Sequence, residues 1–143
     1  MNDSKSNRIL AIDFGSKRIG LALSDPLLIF SYAYKTILND DKLWYNLDTV
    51  IKEKEVNKII LGIPYQENGN LSSNAPVILK FKEALSKRYS LDIIEWDESQ
   101  TSERAKEIII RTVAGKKKRR DKGLIDRGSA SIMLQEYLDS LKK

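Results

Sequence analysis

Apolar positions fall into short runs whose period changes along the chain. Residues 8–14 alternate as a strand, with Ile9, Ala11 and Asp13 on one face and Leu10, Ile12 and Phe14 on the other. Gly15-Ser16-Lys17 turns the chain into a second strand near 18–24, and Ile29–Leu38 supplies a third, as sequential antiparallel hairpins. Leu43–Lys54 then shifts to helical spacing, with apolar residues at 43, 47, 50 and 51. Lys58–Ile63 is a continuously apolar strand, as a sheet covered on both faces requires. After a loop marked by Gly62, Pro64, Asn68 and Gly69, Ser72, Ser73 and Asn74 offer N-caps and Pro76 suits a first turn. The helix they open carries Val77, Ile78, Phe81, Leu85 and Tyr89 on one side. Leu91–Trp96 is a further strand, ending in Asp97-Glu98. A helix from about Gln100 to Thr112 follows, with Ala105, Ile108, Ile109 and Thr112 on its apolar side. The last helix, about 126–141, has the stripe Ala130, Met133, Leu134, Tyr137, Leu138 and Leu141. The order βββαβαβαα, without repeats or an internal linker, predicts an α/β fold. Its five-stranded mixed sheet has three antiparallel strands, then alternating units, with helices on both faces. Trp44, Tyr45 and Trp96 read as core or partly buried packing, and Asp25 before Pro26 as a turn residue.

Composition narrows the chemistry. The 143 residues fit a single domain over 1–143, with a flexible N-terminus at 1–7 and a basic loop at 114–124. There is no cysteine and no histidine. Disulfides, Cys/His zinc sites, thiol nucleophiles and imidazole mechanisms are therefore excluded. Hydrolysis would have to use carboxylates, hydroxyls, lysines or a hard, oxygen-liganded cation. No apolar run reaches the ~18 residues of a spanning helix, and Met1–Asn7 is too polar for a signal peptide, so a soluble cytoplasmic protein with no membrane partner is expected. The net charge of +5 is concentrated: Lys116, Lys117, Lys118, Arg119, Arg120 and Lys122 face only Asp121, leaving 19 basic and 19 acidic residues elsewhere. Such clustering favours a polyanion, since each neutralised phosphate releases counterions; a solvated loop is the other reading.

Three acids stand out by position. Asp13 sits near the end of the apolar strand Ile9–Phe14, where an uncompensated carboxylate costs several kcal/mol, on the order of a buried lone charge. Glu98 lies just past the last strand, aimed by the pleat with Ile94 and Trp96. Asp126 begins the last helix on the face of Ala130 and Met133. Brought together, three carboxylates repel unless a divalent cation neutralises them. All-oxygen ligation selects Mg²⁺ or Mn²⁺, and two such ions ~3.5–4 Å apart can drive phosphodiester hydrolysis without histidine. Each acid also has a structural reading: Asp13 as acceptor of turn N–H groups, Glu98 at a helix dipole, Asp126 as an N-cap. Gly15 allows close backbone approach to a phosphate or simply a turn, and Lys17 and Arg18 read either as contacts to a nucleic-acid backbone or as a solvated turn.

Four motifs in order carry a family resemblance. Ala11-Ile12-Asp13-Phe14-Gly15-Ser16-Lys17-Arg18-Ile19-Gly20 resembles the opening motif of the YqgF/RuvX family, whose fold is ribonuclease H-like. Leu61-Gly62-Ile63-Pro64 with Asn68-Gly69 is similar to its second motif, Asp97-Glu98 with Thr101-Ser102 to its third, and Lys122-Gly123-Leu124-Ile125-Asp126 with Ala130 to its fourth. The resemblance implies a metal-dependent nuclease with Asp13, Glu98 and Asp126 as catalytic and metal-binding triad. The activity would be maturation of the 5′ end of pre-16S ribosomal RNA or resolution of Holliday junctions. Ser99 stands where the family has arginine, and Arg104, one turn along, can substitute; Thr101 and Arg104 join the nucleic-acid contacts. Tyr65-Gln66-Glu67 and Asn70 also depart from the second motif.

The partner expected is structured RNA or branched DNA, bound by a monomer or weak homodimer; junction cleavage would need two active sites. Actin-like ATPases and sugar kinases also place Asp-x-Gly after a strand. They require a second domain and glycine-rich adenosine motifs that 143 residues and seven glycines do not accommodate. A nucleic-acid-binding module that keeps the fold without the activity is the non-enzymatic alternative.

Overall fold

The computed structural model describes residues 7–64, 73, 75–97 and 122–142, with the backbone alone at 122–126. Strands β1 (Arg8–Phe14), β2 (Arg18–Ser24) and β3 (Ser31–Leu38) run as antiparallel neighbours. Helix α1 (Leu43–Glu53) leads to β4 (Val56–Ile63), helix α2 (Ala75–Arg88) to β5 (Asp92–Asp97), and α3 (Lys122–Ser140) closes the described chain. The sheet order is β3-β2-β1-β4-β5, with β1–β4 and β4–β5 parallel. The strand with the most informative acid is thus the central one. The expected helix over 100–112 lies outside the described residues.

Alternation along β1 sorts two cores onto the two faces. Leu10 and Ile12 join Leu21, Leu23, Ile59, Leu61 and Ile63 beneath α1 and α2, with Phe14 against them. Ile9 and Ala11 join Ala22 and Ile60 beneath Ala130, Met133, Leu134, Tyr137 and Leu138 of α3. Ala11 pairs with Ala22, and Ala22 with Ala33, so a row of alanines crosses three strands on the α3 side. Small residues let the helix backbone approach the sheet, and burial of its leucines then drives docking, at roughly 25 cal/mol per Å² of apolar surface. Along its β3 flank α3 is polar at every fourth position. Arg127 donates to Thr36 Oγ1 at 3.1 Å, Ser131 accepts from the Ser31 hydroxyl through its carbonyl at 2.6 Å, and Gln135 accepts from the Ser31 N–H at 2.9 Å.

The turn between β2 and β3 is organised by Asp25, as its position before Pro26 suggests. Its carboxylate accepts N–H bonds from Leu27, Ile29 and Phe30 at 3.1, 2.8 and 2.7 Å, and Leu28 bends into the left-handed region at φ 60°. These bonds, the one from Phe30 foremost, hold the Asp25 carboxyl below its usual range.

Four details differ from the sequence reading. Val77 is 57% exposed, because the buried stripe of α2 is Ala75, Ile78, Phe81 and Leu85, and at roughly 100° per residue position 77 flanks it. Tyr45 is 72% exposed, opposite the buried Leu43, Leu47 and Val50 of α1, and so is neither core nor partly buried. Trp44 and Trp96 do pack as expected. Leu141 follows the end of α3 and lies in solvent. Helix α3 begins at Lys122, one turn early, so residues 122–124 of the expected basic loop are helical. Gly123 suggests a loop, yet in a first turn, where N–H groups lack intrahelical partners anyway, it costs little.

Helices α1 and α2 are clamped by Asp48. Arg88 donates to both of its carboxylate oxygens, from Nε at 2.9 Å and Nη2 at 2.5 Å, and the Tyr89 hydroxyl donates at 2.5 Å. Arg88 lies over the Trp44 ring, 5.3 Å from its centroid. The Arg88 bonds, then that from Tyr89, bring the Asp48 carboxyl down to about 2, whereas burial first and the Asp48 bond second push the Tyr89 phenol up. A carboxyl lowered on folding stabilises the protein above its unfolded pKa and loses that contribution as pH falls through the folded one. The stability gap between wild type and Asp48→Asn should therefore be constant above about pH 4 and close towards pH 2. Urea unfolding at stepped pH measures it; a gap that persists at pH 2 contradicts the assignment.

Candidate active site

Asp13 is the penultimate residue of β1, on the α3 side of the sheet and half-buried. Its neighbours across the sheet explain how a carboxylate is tolerated there. Gly20 pairs with it on β2. Ile12 pairs with Leu61 on β4, so one step further along both parallel strands Asp13 aligns with Gly62, which pairs with Trp96 on β5. Gly20 in turn pairs with Thr36 on β3. One row therefore reads Thr36, Gly20, Asp13, Gly62, Trp96. The acid is flanked on both strands by residues without side chains, so neither neighbour in the row sets an apolar group against it.

Three elements meet at this edge. The parallel strands β1, β4 and β5 end together, the place where α/β sheets bind ligands. β5 ends at Asp97, directly before Glu98; Ile94 and Trp96 pack into the α3-side core, and the Trp96 ring meets Tyr137 edge-on at 5.7 Å. Helix α3 brings its first turns to the same row, as the Arg127–Thr36 bond shows. Position 126 falls in the second turn of α3, one turn before the buried Ala130, so the N-cap role considered for Asp126 does not apply.

The turn after Asp13 is tight and braced. A Cβ at Gly15 would strike the Arg18 carbonyl oxygen, so glycine is required there by space. Asn39, just past β3, donates its side-chain amide to the Gly15 carbonyl at 2.8 Å and its backbone N–H to the Lys17 carbonyl at 2.9 Å. Lys17 is exposed at the turn and Arg18, opening β2, is half-exposed. Asn39 escaped the sequence reading: an asparagine after a strand and before Asp40-Asp41 reads as a turn former, and nothing local signals contact 24 residues back.

Of the expected site residues, Asp13, Gly15, Lys17 and Arg18 are thus grouped at one end of β1. Glu98, Thr101, Arg104, Lys116, Lys117, Lys118, Arg119 and Arg120 lie outside the described residues, and the side chains of Lys122 and Asp126 do too. Among the described residues no three acids converge, and the cluster expected from the sequence needs both Glu98 and Asp126. Among the described residues no helix is long and apolar enough to cross a membrane.

The family model for RuvX, described as Holliday junction resolvase, matches residues 7–140. The chain belongs to the RuvX family. A protein of Azobacteroides pseudotrichonymphae named "Putative pre-16S rRNA nuclease" is 41% identical over 137 residues, covering 95% of this chain and 99% of its own. A protein of Porphyromonas gingivalis with the same name is 41% identical, covering 93% and 96%. Among solved structures, Thermus thermophilus RuvC in complex with a Holliday junction substrate matches with a TM-score of 0.60 at 11% identity, over 95% of this chain and 96% of that one. A Fowlpox virus resolvase bound to its substrate junction DNA matches at 0.59 and 16%, over 95% and 99%. At these identities the likeness is one of fold: this RuvX chain has the ribonuclease H-like sheet and helix arrangement.

Proposed function

We propose that this RuvX chain is a metal-dependent nuclease that hydrolyses phosphodiester bonds in 5′-end maturation of pre-16S ribosomal RNA. The observation that carries the reading is Asp13, a half-buried carboxylate at the end of the central strand, flanked by Gly20 and aligned with Gly62. The names of the relatives in Azobacteroides and Porphyromonas support the RNA substrate. Asp13, Glu98 and Asp126 form the acidic triad and hold Mg²⁺ or Mn²⁺, two ions once substrate is bound. A donor set of carboxylates in a chain without histidine or cysteine suits those cations. When bound, they supply Lewis-acid polarisation of the phosphoryl oxygens.

The chain's own residues seat the substrate. The Gly15–Arg18 turn, pinned by Asn39, offers backbone and the Lys17 and Arg18 cations to the strand that enters beside Asp13. Thr101, Arg104 and the cations Lys116 to Lys122 extend the phosphate contacts along the nucleic acid. The protein acts in the cytoplasm, where its substrate is made.

Junction resolution is the second reading, favoured by the description of the RuvX family and by the junction-bound fold relatives. Cleavage of a pre-16S rRNA fragment and of a four-way DNA junction, side by side in Mg²⁺ and in Mn²⁺, separates the two. Preferential cut of the RNA at the mature 5′ end is expected; junction cleavage with intact RNA would replace the first reading by the second. Neutralising the six cations at 116–122 should flatten the salt dependence of binding by several units of log–log slope, roughly 0.7–0.9 per lost phosphate contact. An unchanged slope would make that segment a solvated one.

A further inference from the structure

Asn39 braces the turn after Asp13 with two bonds from separate parts of the residue. Its side-chain amide donates to the Gly15 carbonyl at 2.8 Å and its backbone N–H to the Lys17 carbonyl at 2.9 Å. The bond to Gly15 settles which end of the amide is nitrogen, since a carbonyl oxygen takes only a donor. Oδ1 is the other end, and among the described residues nothing donates to it. Asn39 is only half-buried. Two residues of chain separate Asp13 from Gly15, so the amide lies within about 12 Å of the Asp13 backbone. The other polar groups of the turn sort by what they can bind. The Lys17 ammonium and the Arg18 guanidinium only donate, which suits the phosphate oxygens of RNA and DNA alike. The Gly15 and Lys17 carbonyls already accept from Asn39, and the exposed Ser16 hydroxyl rotates and fixes no direction. An acceptor held in one direction has a narrower use. Along a nucleic-acid backbone phosphates and deoxyriboses offer it no donor, whereas the ribose 2′-hydroxyl does.

From this complementarity we infer that Asn39 is a specificity-determining residue of the nuclease site. Its Oδ1 accepts a hydrogen bond from a ribose 2′-hydroxyl of the strand seated against Asp13, and so selects RNA over DNA. The inference rests on the nuclease reading and deepens it, naming the group by which the site tells its substrate class. The brace to Gly15 and the contact to ribose use opposite ends of one amide. The bond that holds the turn thus also orients the acceptor.

The experiment replaces each 2′-hydroxyl of a pre-16S rRNA fragment, one at a time, by 2′-fluoro, which cannot donate. Kd is measured in the Asp13→Asn background and kcat/KM in the otherwise wild-type chain, each with and without Asn39→Ala. With Asn39 present, 2′-fluoro at one nucleotide should weaken binding and lower kcat/KM about fivefold, the value of one hydrogen bond. With Asn39→Ala the same replacement should cost nothing further, although the looser turn lowers affinity for every substrate. A residue that only braced the turn would leave that ratio unmoved. A loss that persists undiminished in Asn39→Ala, or no sensitive nucleotide anywhere along the fragment, would overturn the inference and leave Asn39 a brace. If Asn39→Ala does not fold, Asn39→Gln, which shifts the amide by one methylene, takes its place in the same comparison. Failure of the underlying reading looks different: Asp13→Asn would then cleave at full rate, while the comparison of Kd values still decides the role of Asn39.

Discussion

Asp13→Asn is expected to reduce Mg²⁺- or Mn²⁺-dependent cleavage by at least about 10³-fold while the chain stays folded. The amide keeps the size and most hydrogen-bonding geometry of the carboxylate but removes the charge that a hard cation needs. Loss of several kcal/mol of electrostatic stabilisation corresponds to about three orders of magnitude in rate. Stability should change little, because the amide conserves the shape of the side chain, and Gly20 and Gly62 beside it in the row place no bulky group against it. Single-turnover cleavage of the rRNA fragment, with circular dichroism as a check on folding, measures both. A folded mutant with full activity would remove Asp13 from the chemistry and with it the triad. Nucleic-acid binding should survive, since the Gly15–Arg18 turn and the cations at 116–122 do not depend on the carboxylate.

Leu134→Ala is expected to do the opposite: it should lower stability by about 2–5 kcal/mol and leave the chemistry of the folded molecules intact. Leu134 is fully buried in the cluster formed by α3 with Ile9, Ala11, Ala22 and Ile60. Neighbouring alanines on the sheet cannot expand to fill the void, so the cavity cost adds to the lost transfer free energy. The melting temperature should fall on the order of 10 °C. Because α3 carries position 126 to the Asp13 row, activity should drop with the fraction folded and recover at low temperature. Melting curves and cleavage rates taken at the same temperatures test this coupling. An unchanged melting temperature would mean that α3 gains little from the β1 face.

The hydrophobic pattern made most of the fold legible, because each element declares its period locally. Ile9-Ala11 and Leu10-Ile12 alternate as a strand must, and the two cores observed are those two sets. The boundaries of β1 and β2 agree with the alternation, and α3 stands out by Ala130, Met133, Leu134, Tyr137 and Leu138. The misses came where a helix edge was read as its face, at Val77 and Tyr45, or where a glycine was read as a break, at Gly123. At Val77 and Tyr45 the deciding term was the direction of the neighbouring layer, which no local window contains; at Gly123 it was the low cost of glycine in a first turn.

The site divides along the same line. The expectation of carboxylate chemistry, with oxygen-liganded cations and a polyanionic partner, came from residue types: no histidine, no cysteine, a strand-end acid and one dense cluster of positive charge. Which residues surround that acid did not. Gly20 and Gly62 beside Asp13, Thr36 beyond Gly20, Asn39 pinning the turn and Arg127 across the row are pairings between segments up to 91 residues apart. Register between strands and the docking angle of α3 settle such pairings. Both are set by how alanines, glycines and leucines pack across the sheet, a free energy summed over the whole fold and written in no single stretch of chain.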